Sequence, residues 1–173
     1  DQLQEMSEIL GRLEVASGAW ALGRPFLEAD KARLRREVNS ISPAEFIREL
    51  IREMRRQPHA DPLRLGFMTK RLRSSEGIKD INHTDEHGFT ALMFAAGFGY
   101  TEVVRALLQR EDINVNLPDN RGLTPLMGAA GRGHTDVVRD LLARDGININ
   151  LRNNDDRTAL MYAAMRGHTD VVR

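Results

Sequence analysis

The sequence predicts an all-α protein: an N-terminal helical bundle followed by a solenoid of helix-turn-helix units with short β-hairpin turns. Two observations carry this. First, three segments are near copies at a constant offset of 34 residues. Thr90-Ala91-Leu92-Met93 recurs as Thr124-Pro125-Leu126-Met127 and as Thr158-Ala159-Leu160-Met161. Behind each comes a second echo, Gly99-Tyr100-Thr101-Glu102-Val103-Val104, then Gly133-His134-Thr135-Asp136-Val137-Val138, then Gly167-His168-Thr169-Asp170-Val171-Val172. A fixed period of this length marks stacked units, none of which buries its apolar face alone. Second, the first 80 residues carry apolar positions at helical spacing, punctuated by Pro, with no such echo.

The elements of the first block follow in order. Leu3, Met6, Ile9, Leu10 and Leu13 have the spacing of an amphipathic helix, weakened by Gly11 and Gly18. Pro25 predicts a helix start before Phe26, Leu34 and Val38. Ser42-Pro43-Ala44-Glu45 reads as a capping box ahead of a stripe of Phe46, Ile47, Leu50, Ile51 and Met54. The opposite, solvated face carries Glu45 with Arg48, Glu49 with Arg52 and Glu53 with Arg56 at i, i+3. Asp61-Pro62 repeats the cap-then-Pro signal before Leu63, Phe67, Met68 and Leu72. The block, residues 1–80, is either a separate helical domain or the N-terminal cap that a repeat stack needs.

The array, residues 81–173, divides into units near 85–118, 119–152 and 153–173. Each has a polar turn, an Ala-rich first helix, a Gly break and a second helix. Ala95-Ala96, Ala129-Ala130 and Ala163-Ala164 let first helices of adjacent units approach closely. Val103, Val104, Leu107 and Leu108, with Val137, Val138, Leu141 and Leu142, supply the buried face of the second. Short extended stretches follow at Ile113-Asn114-Val115-Asn116 and Ile147-Asn148-Ile149-Asn150, and Asp80-Ile81-Asn82 matches them. The chain opens on Asp1 and stops at Arg173 inside a second helix, so both ends are expected to continue.

Composition removes several function classes. There is no cysteine, hence no disulfide, thiol nucleophile or thiolate metal site. That suits a reducing compartment, and a cytoplasmic, intracellular location is the expectation, with translocation into a host cell left open. No apolar run approaches the roughly 18 residues that span a bilayer. Residues 1–80 hold 15 Lys or Arg against 13 Asp or Glu, and residues 81–173 hold 10 against 12. Neither has the basic excess of a duplex-binding domain.

With Asp-x-x-Gly-x-Thr-Pro-Leu, then Ala-Ala, Gly-His, Val-Val and Leu-Leu recurring in register, the chain resembles the ankyrin repeat family from about residue 81 onward. The resemblance implies an ankyrin-like solenoid of stacked helix pairs with projecting hairpins, working by binding proteins. Three departures stand out. Met93, Met127 and Met161 replace the usual His, which exchanges a polar tether between turns for soft packing. Asp156 stands where Gly88 and Gly122 supply the turn glycine. Pro125 is matched by Ala91 and Ala159.

The resemblance also implies where a partner is read. Hairpin tips fall on Glu86, His87 and Phe89; on Asn120, Arg121 and Leu123; and on Asn154, Asp155 and Arg157. The concave face of the first helices falls on Phe94, Gly97 and Phe98; on Gly128, Gly131 and Arg132; and on Tyr162, Met165 and Arg166. Aromatics with neighbouring Arg have the composition of interface hot spots. Against this, Phe94 and Phe98 can plug the junction with the helical block.

Other chemistry is weaker. His83-Thr84-Asp85-Glu86-His87 could attract a metal, but Asp and Gly there are explained by a turn. His134 and His168 are matched by Tyr100, which marks them as repeat-structural. No Gly-rich phosphate loop or nucleophile elbow is present, so no catalytic residue and no cofactor is assigned. The stretch Lys31–Arg73 holds 12 basic residues against five acidic ones, a candidate nucleic-acid face, but its Glu ladder and lack of stacking aromatics oppose that. The expectation is a module that docks a protein partner. The alternative is a targeting region of a larger enzyme or secreted effector whose catalytic part lies elsewhere.

Overall fold

The computed structural model describes residues 28–56, 58–74 and 77–173. The helix expected over Leu3–Leu13 and the start expected at Pro25 lie outside these. Nine helices follow among the described residues: α1 (Glu28–Ser40), α2 (Phe46–Arg55), α3 (Pro62–Ser74), α4 (Ala91–Phe98), α5 (Thr101–Leu108), α6 (Pro125–Arg132), α7 (Thr135–Leu142), α8 (Ala159–Met165) and α9 (Thr169–Val172). They stack in two rows. The inner row is α2, α4, α6 and α8, each packed on the next; the outer row is α3, α5, α7 and α9, with α1 lying on α3.

Each repeat folds through the same local devices. Thr90, Thr124 and Thr158 cap the inner helices, their hydroxyls accepting the N–H of Met93, Met127 and Met161 at 3.2, 3.3 and 3.3 Å. At the other end Gly99 and Gly133 turn left-handed at φ 73° and 75°. That lets the next N–H, of Tyr100 or His134, donate back to Ala95 or Ala129 at 2.9 and 3.1 Å. The reversal throws the chain straight into an outer helix, whose Val103, Val104 and Leu107, or Val137, Val138 and Leu141, face inward and are buried. Buried leucines such as Leu92, Leu107, Leu126 and Leu141 each contribute about 1.5–3 kcal/mol. Ala95, Ala96, Ala129 and Ala130 are buried between inner helices, as their small side chains require.

The N-terminal helices share this core without a break; one apolar cluster runs from Leu34 to Ala163. Inner helix α2 packs on α4, and outer helix α3 on α5, the relations that α4 has to α6 and α5 to α7. The capping box before α2 is present in modified form. Ser42 Oγ accepts Glu45 N–H at 3.3 Å and donates to the Glu45 carboxylate at 2.9 Å, while the assigned helix opens one turn later at Phe46. Asp61 caps α3 as expected, its Oδ1 accepting from Leu63 and Arg64 at 2.9 and 3.1 Å.

The solvated face read onto α2 needs correction. Glu49 pairs with Arg52 and Glu53 with Arg56, but Glu45 is taken by Ser42. Glu53 is buried, because the loop into α3 folds over it: Asp61 N–H donates to its Oε1 at 2.8 Å, and Arg64 Nε lies 3.4 Å from its Oε2. No strand forms among the described residues. The hairpins close by single turns, Asp85 with Phe89, Asp119 with Leu123 and Asn153 with Arg157, and where extended stretches were expected at 113–116 and 147–150 the chain is irregular and then turns at 115–116 and 149–150.

Candidate protein-docking surface

The hairpins are built on one acceptor each. Asp85 Oδ1 takes the N–H groups of His87 and Phe89, Asp119 Oδ1 those of Arg121 and Leu123, and Asn153 Oδ1 those of Asp155 and Arg157, at 2.8–3.2 Å. Successive hairpins are stitched together, Asn120 N–H to the His87 carbonyl at 3.1 Å and Asn154 N–H to the Arg121 carbonyl at 3.0 Å. The side-chain amides of Asn120 and Asn154 donate as well, to Glu86 and Asn120 carbonyls at 3.2 Å. So Asn154, although exposed, is partly spent on the array itself. Gly88 and Gly122 are needed twice over. They turn at φ 80° and 77°, and a Cβ on Gly122 would meet Asn153 Cα at 2.9 Å. Asp156 adopts the same left-handed turn at φ 63°, as read from the sequence, and its carboxylate pairs with Arg152 at 2.7 Å.

Along the inner row an aromatic ladder runs Phe89, Phe94, Phe98, Tyr100, with ring centroids 5.3, 6.3 and 6.4 Å apart. A guanidinium covers two of its rungs. Arg55 of α2 lies 5.6 Å from the Phe94 centroid, and Arg132 of α6 lies 4.7 Å from that of Phe98. The two readings of this aromatic pair therefore separate. Phe94 is half-buried against the N-terminal helices, whereas Phe98 is 39% exposed and meets the following repeat. Arg132 Nη1 also donates to the Gly97 carbonyl at 2.6 Å, where His134 Nε2 donates too, at 3.1 Å. Two cationic or polar donors thereby satisfy a carbonyl at the end of α4 that has no partner within its helix.

In the third unit Tyr162 is half-buried, its hydroxyl held by Asn153 Nδ2 at 2.9 Å, and Met165 and Arg166 are exposed. Glu86, His87, Arg121, Asp155 and Arg157 are exposed at the tips, with Phe89 and Leu123 half-buried beneath them. Glu86 lies 3.7 Å from both Arg55 and His87. Among the described residues, six of the seven exposed large hydrophobics fall at Leu142 or later. Leu160, Met161, Ile149 and Val172 have counterparts in Leu126, Met127, Val115 and Val138 that are buried inside the stack. Phe98 is the seventh, and a repeat does pack beyond it.

Several connections escaped the sequence reading. Asn82 and Asn116 act as clasps between units: Asn82 Oδ1 accepts Asn114 N–H and its Nδ2 donates to the Asp112 carbonyl, both at 2.8 Å. Asn116 does the same with Asn148 and Gly146 at 2.9 and 2.8 Å. Their 34-residue spacing was the available signal. Met93 and Met127 are buried, as soft packing implies, while these asparagines provide polar ties between units. His134 and His168 are structural, each donating to a carbonyl 37 residues earlier. Tyr100, their counterpart, buries a hydroxyl with no hydrogen-bond partner among the described residues. Burial, and secondly the Glu53 carboxylate, pushes its pKa up.

The basic stretch is largely engaged within the chain. Arg33 and Arg64 pair with Glu37, Arg52 with Glu49, Arg55 with Asp85, Arg56 with Glu53 and Arg73 with Glu102. Arg71 caps the Val38 and Ile41 carbonyls and stacks on Phe46. In the segment His83–His87, Asp85 serves the turn, and no group of three or more His, Asp or Glu among the described residues is arranged for a metal ion. No helix among them is long and apolar enough to cross a membrane.

Fold and repeat pattern together define a helical-repeat solenoid. The family model for ankyrin repeats (3 copies) matches residues 64–153 and 113–173, well over half of the chain, and the chain belongs to the ankyrin repeat family. Such repeats are generally protein–protein interaction modules. The match begins inside α3, earlier than the echo visible by eye. No curated protein matches the chain.

Proposed function

We propose that the chain docks a protein partner along the inner-helix row and the hairpin tips, with Phe98 and Arg132 as the centre of the contact. The observation that carries this is the exposed Phe98 under a positioned guanidinium, at a place where the stack itself has no need of an aromatic. Its counterparts are Arg132 and Arg166, so the position changes from unit to unit while Thr90, Ala95, Val103 and Leu107 repeat or keep their character. Residues that hold the fold recur; residues that read a partner are free to differ. Aromatic and Arg side chains are also the types that dominate interface energetics.

The helix pair α2 and α3, with α1, serves in this reading as the N-terminal cap of the array. Its packing on α4 and α5 supports that over a separate bundle, since the apolar core passes through the junction and Arg55 reaches across to Phe94 and Asp85. The internal pairing of Arg33, Arg52, Arg55, Arg56, Arg64 and Arg73 argues against a nucleic-acid role for this block.

The test is an affinity capture with immobilised protein, comparing the unaltered chain with Phe98→Ala/Arg132→Ala and with an outer-face control, Arg139→Ala. The inner-row variant should lose specifically captured proteins that the control retains. An identical set for all three would place the docking surface elsewhere.

A further inference from the structure

We propose that this inner row recognises an acidic peptide segment bearing a bulky apolar side chain, its carboxylates held by Arg132 and Arg166. The inference rests on the docking surface above and names the chemistry of its partner.

Charge complementarity carries it. On the outer helices Arg105 pairs with Glu102 and Asp140 at 3.1 and 2.8 Å, and Arg139 with Asp136 at 3.0 Å. On the inner side Arg132 and Arg166, successive at one repeat position, have no carboxylate within 4.0 Å among the described residues. Arg157, at the hairpin of the same third unit, has none either. Arg132 is also held in place, by Phe98 beneath it and the Gly97 carbonyl, so little side-chain freedom remains to be lost on binding. A guanidinium has five N–H donors in a fork that fits a carboxylate, and only Nη1 is engaged in a hydrogen bond here.

The apolar half comes from what surrounds these cations. Phe98 is exposed beneath Arg132 at 39%. Between Phe94 and Tyr162, at the same repeat position, stands Gly128, and Gly131 follows it. Neither glycine has a left-handed φ, and a Cβ on either would find only ordinary contacts, at 3.7 Å from Gly97 Cα and 3.5 Å from Tyr162 Cβ. The fold would accept alanine at both, which favours helix more strongly. Their bareness leaves the middle of the row open for a partner's side chain.

A nucleic-acid strand would also offer anions to Arg132 and Arg166. Residues 81–173, however, carry 10 basic against 12 acidic residues, so the array does not attract a polyanion at long range. The exposed apolar ring beneath Arg132 favours a peptide.

The probe is a fluorescein-labelled peptide of alternating Glu and Leu, titrated with the whole chain by anisotropy. Counterparts carry Lys for Glu or Ser for Leu, alongside a labelled single-stranded oligonucleotide. The Glu/Leu peptide should bind tightest and weaken with salt. Arg132→Gln/Arg166→Gln should lose roughly tenfold or more, and Arg132→Glu/Arg166→Glu should turn the preference toward the Lys/Leu peptide. Gly131→Leu should lower affinity for the Glu/Leu peptide while leaving the Glu/Ser peptide unchanged. Thermal unfolding of each variant separates loss of binding from loss of fold. Equal or tighter binding of the Lys/Leu peptide or oligonucleotide, or affinity unmoved by both double variants, would overturn the acidic-peptide assignment. If captured proteins still depend on Phe98 and Arg132 in that event, the docking surface stands and only its partner chemistry falls.

Discussion

The Arg132 guanidinium rests 4.7 Å from the centroid of the Phe98 ring, one repeat before it, and donates to the carbonyl beside that ring at 2.6 Å. This pair both ties two units and presents a cation over an exposed aromatic face. Because the site is open to water, its structural value is modest. Arg132→Lys should lower stability by about 0.5–1 kcal/mol, the range of an exposed cation–π contact. Urea unfolding of the whole chain reads this. A change within error would show that the pair contributes to the surface alone.

The asparagine clasps make a sharper prediction, because the fold supplies its own control. Asn116 satisfies the backbone of 146–148, whereas the Asn150 side chain, one period on, makes no hydrogen bond among the described residues. Asn116→Ala should cost about 1–2 kcal/mol through two lost hydrogen bonds. Asn150→Ala should stay within about 0.5 kcal/mol. Paired thermal melts decide it, and equal losses would show that the clasp does not hold the units together.

Glycines of the array should divide by their surroundings. Gly122→Ala places a Cβ 2.9 Å from the next hairpin in a left-handed turn, and should cost at least about 1–2 kcal/mol. Gly128→Ala meets ordinary contacts in a helix and should stabilise by about 0.5–1 kcal/mol. Chemical denaturation midpoints of the two variants should move in opposite directions.

Tyr100 predicts a pH signature. Its raised pKa means the unfolded chain releases that proton first, so stability is intact below about pH 10 and declines as pH climbs through the folded-state value. Tyr100→Phe should flatten this alkaline decline relative to the unaltered chain. Near neutrality it should leave stability unchanged or raise it by up to about 1 kcal/mol, since an unpartnered buried hydroxyl is removed. Unfolding free energies across pH 7 to 11 for both proteins supply the comparison.

How much of this was legible follows from which interactions are local. Thr90, Thr124 and Thr158 cap helices within four residues, and Gly99 and Gly133 end them, so the repeats are plain in the sequence. The N-terminal unit was obscured by an altered connection. Shifted back 34 residues, Thr101–Leu108 falls on 67–74, inside α3, but Ala91–Phe98 falls on 57–64, whereas the inner helix is Phe46–Arg55. The pairing survives in space while its period is lost along the chain. Buried Glu53 was misread because its partners, Asp61 N–H and Arg64, come from the next helix start and leave no mark at i, i+3. At the candidate surface, residue type left Phe98 open between partner contact and a plug at the junction, and the hydrogen bonds of Asn120 and Asn154 between hairpins depend on their docking and were invisible.

The most direct test of the account is a calorimetric titration with a protein captured by the unaltered chain, comparing Phe98→Ala and Arg132→Ala with the outer-face changes Arg105→Ala and Arg139→Ala. The docking surface proposed here predicts that at least one inner-row change costs about 2 kcal/mol or more of binding free energy, while the outer-face changes stay below about 1 kcal/mol. Loss confined to Arg105 or Arg139, with Phe98 and Arg132 dispensable, would contradict it.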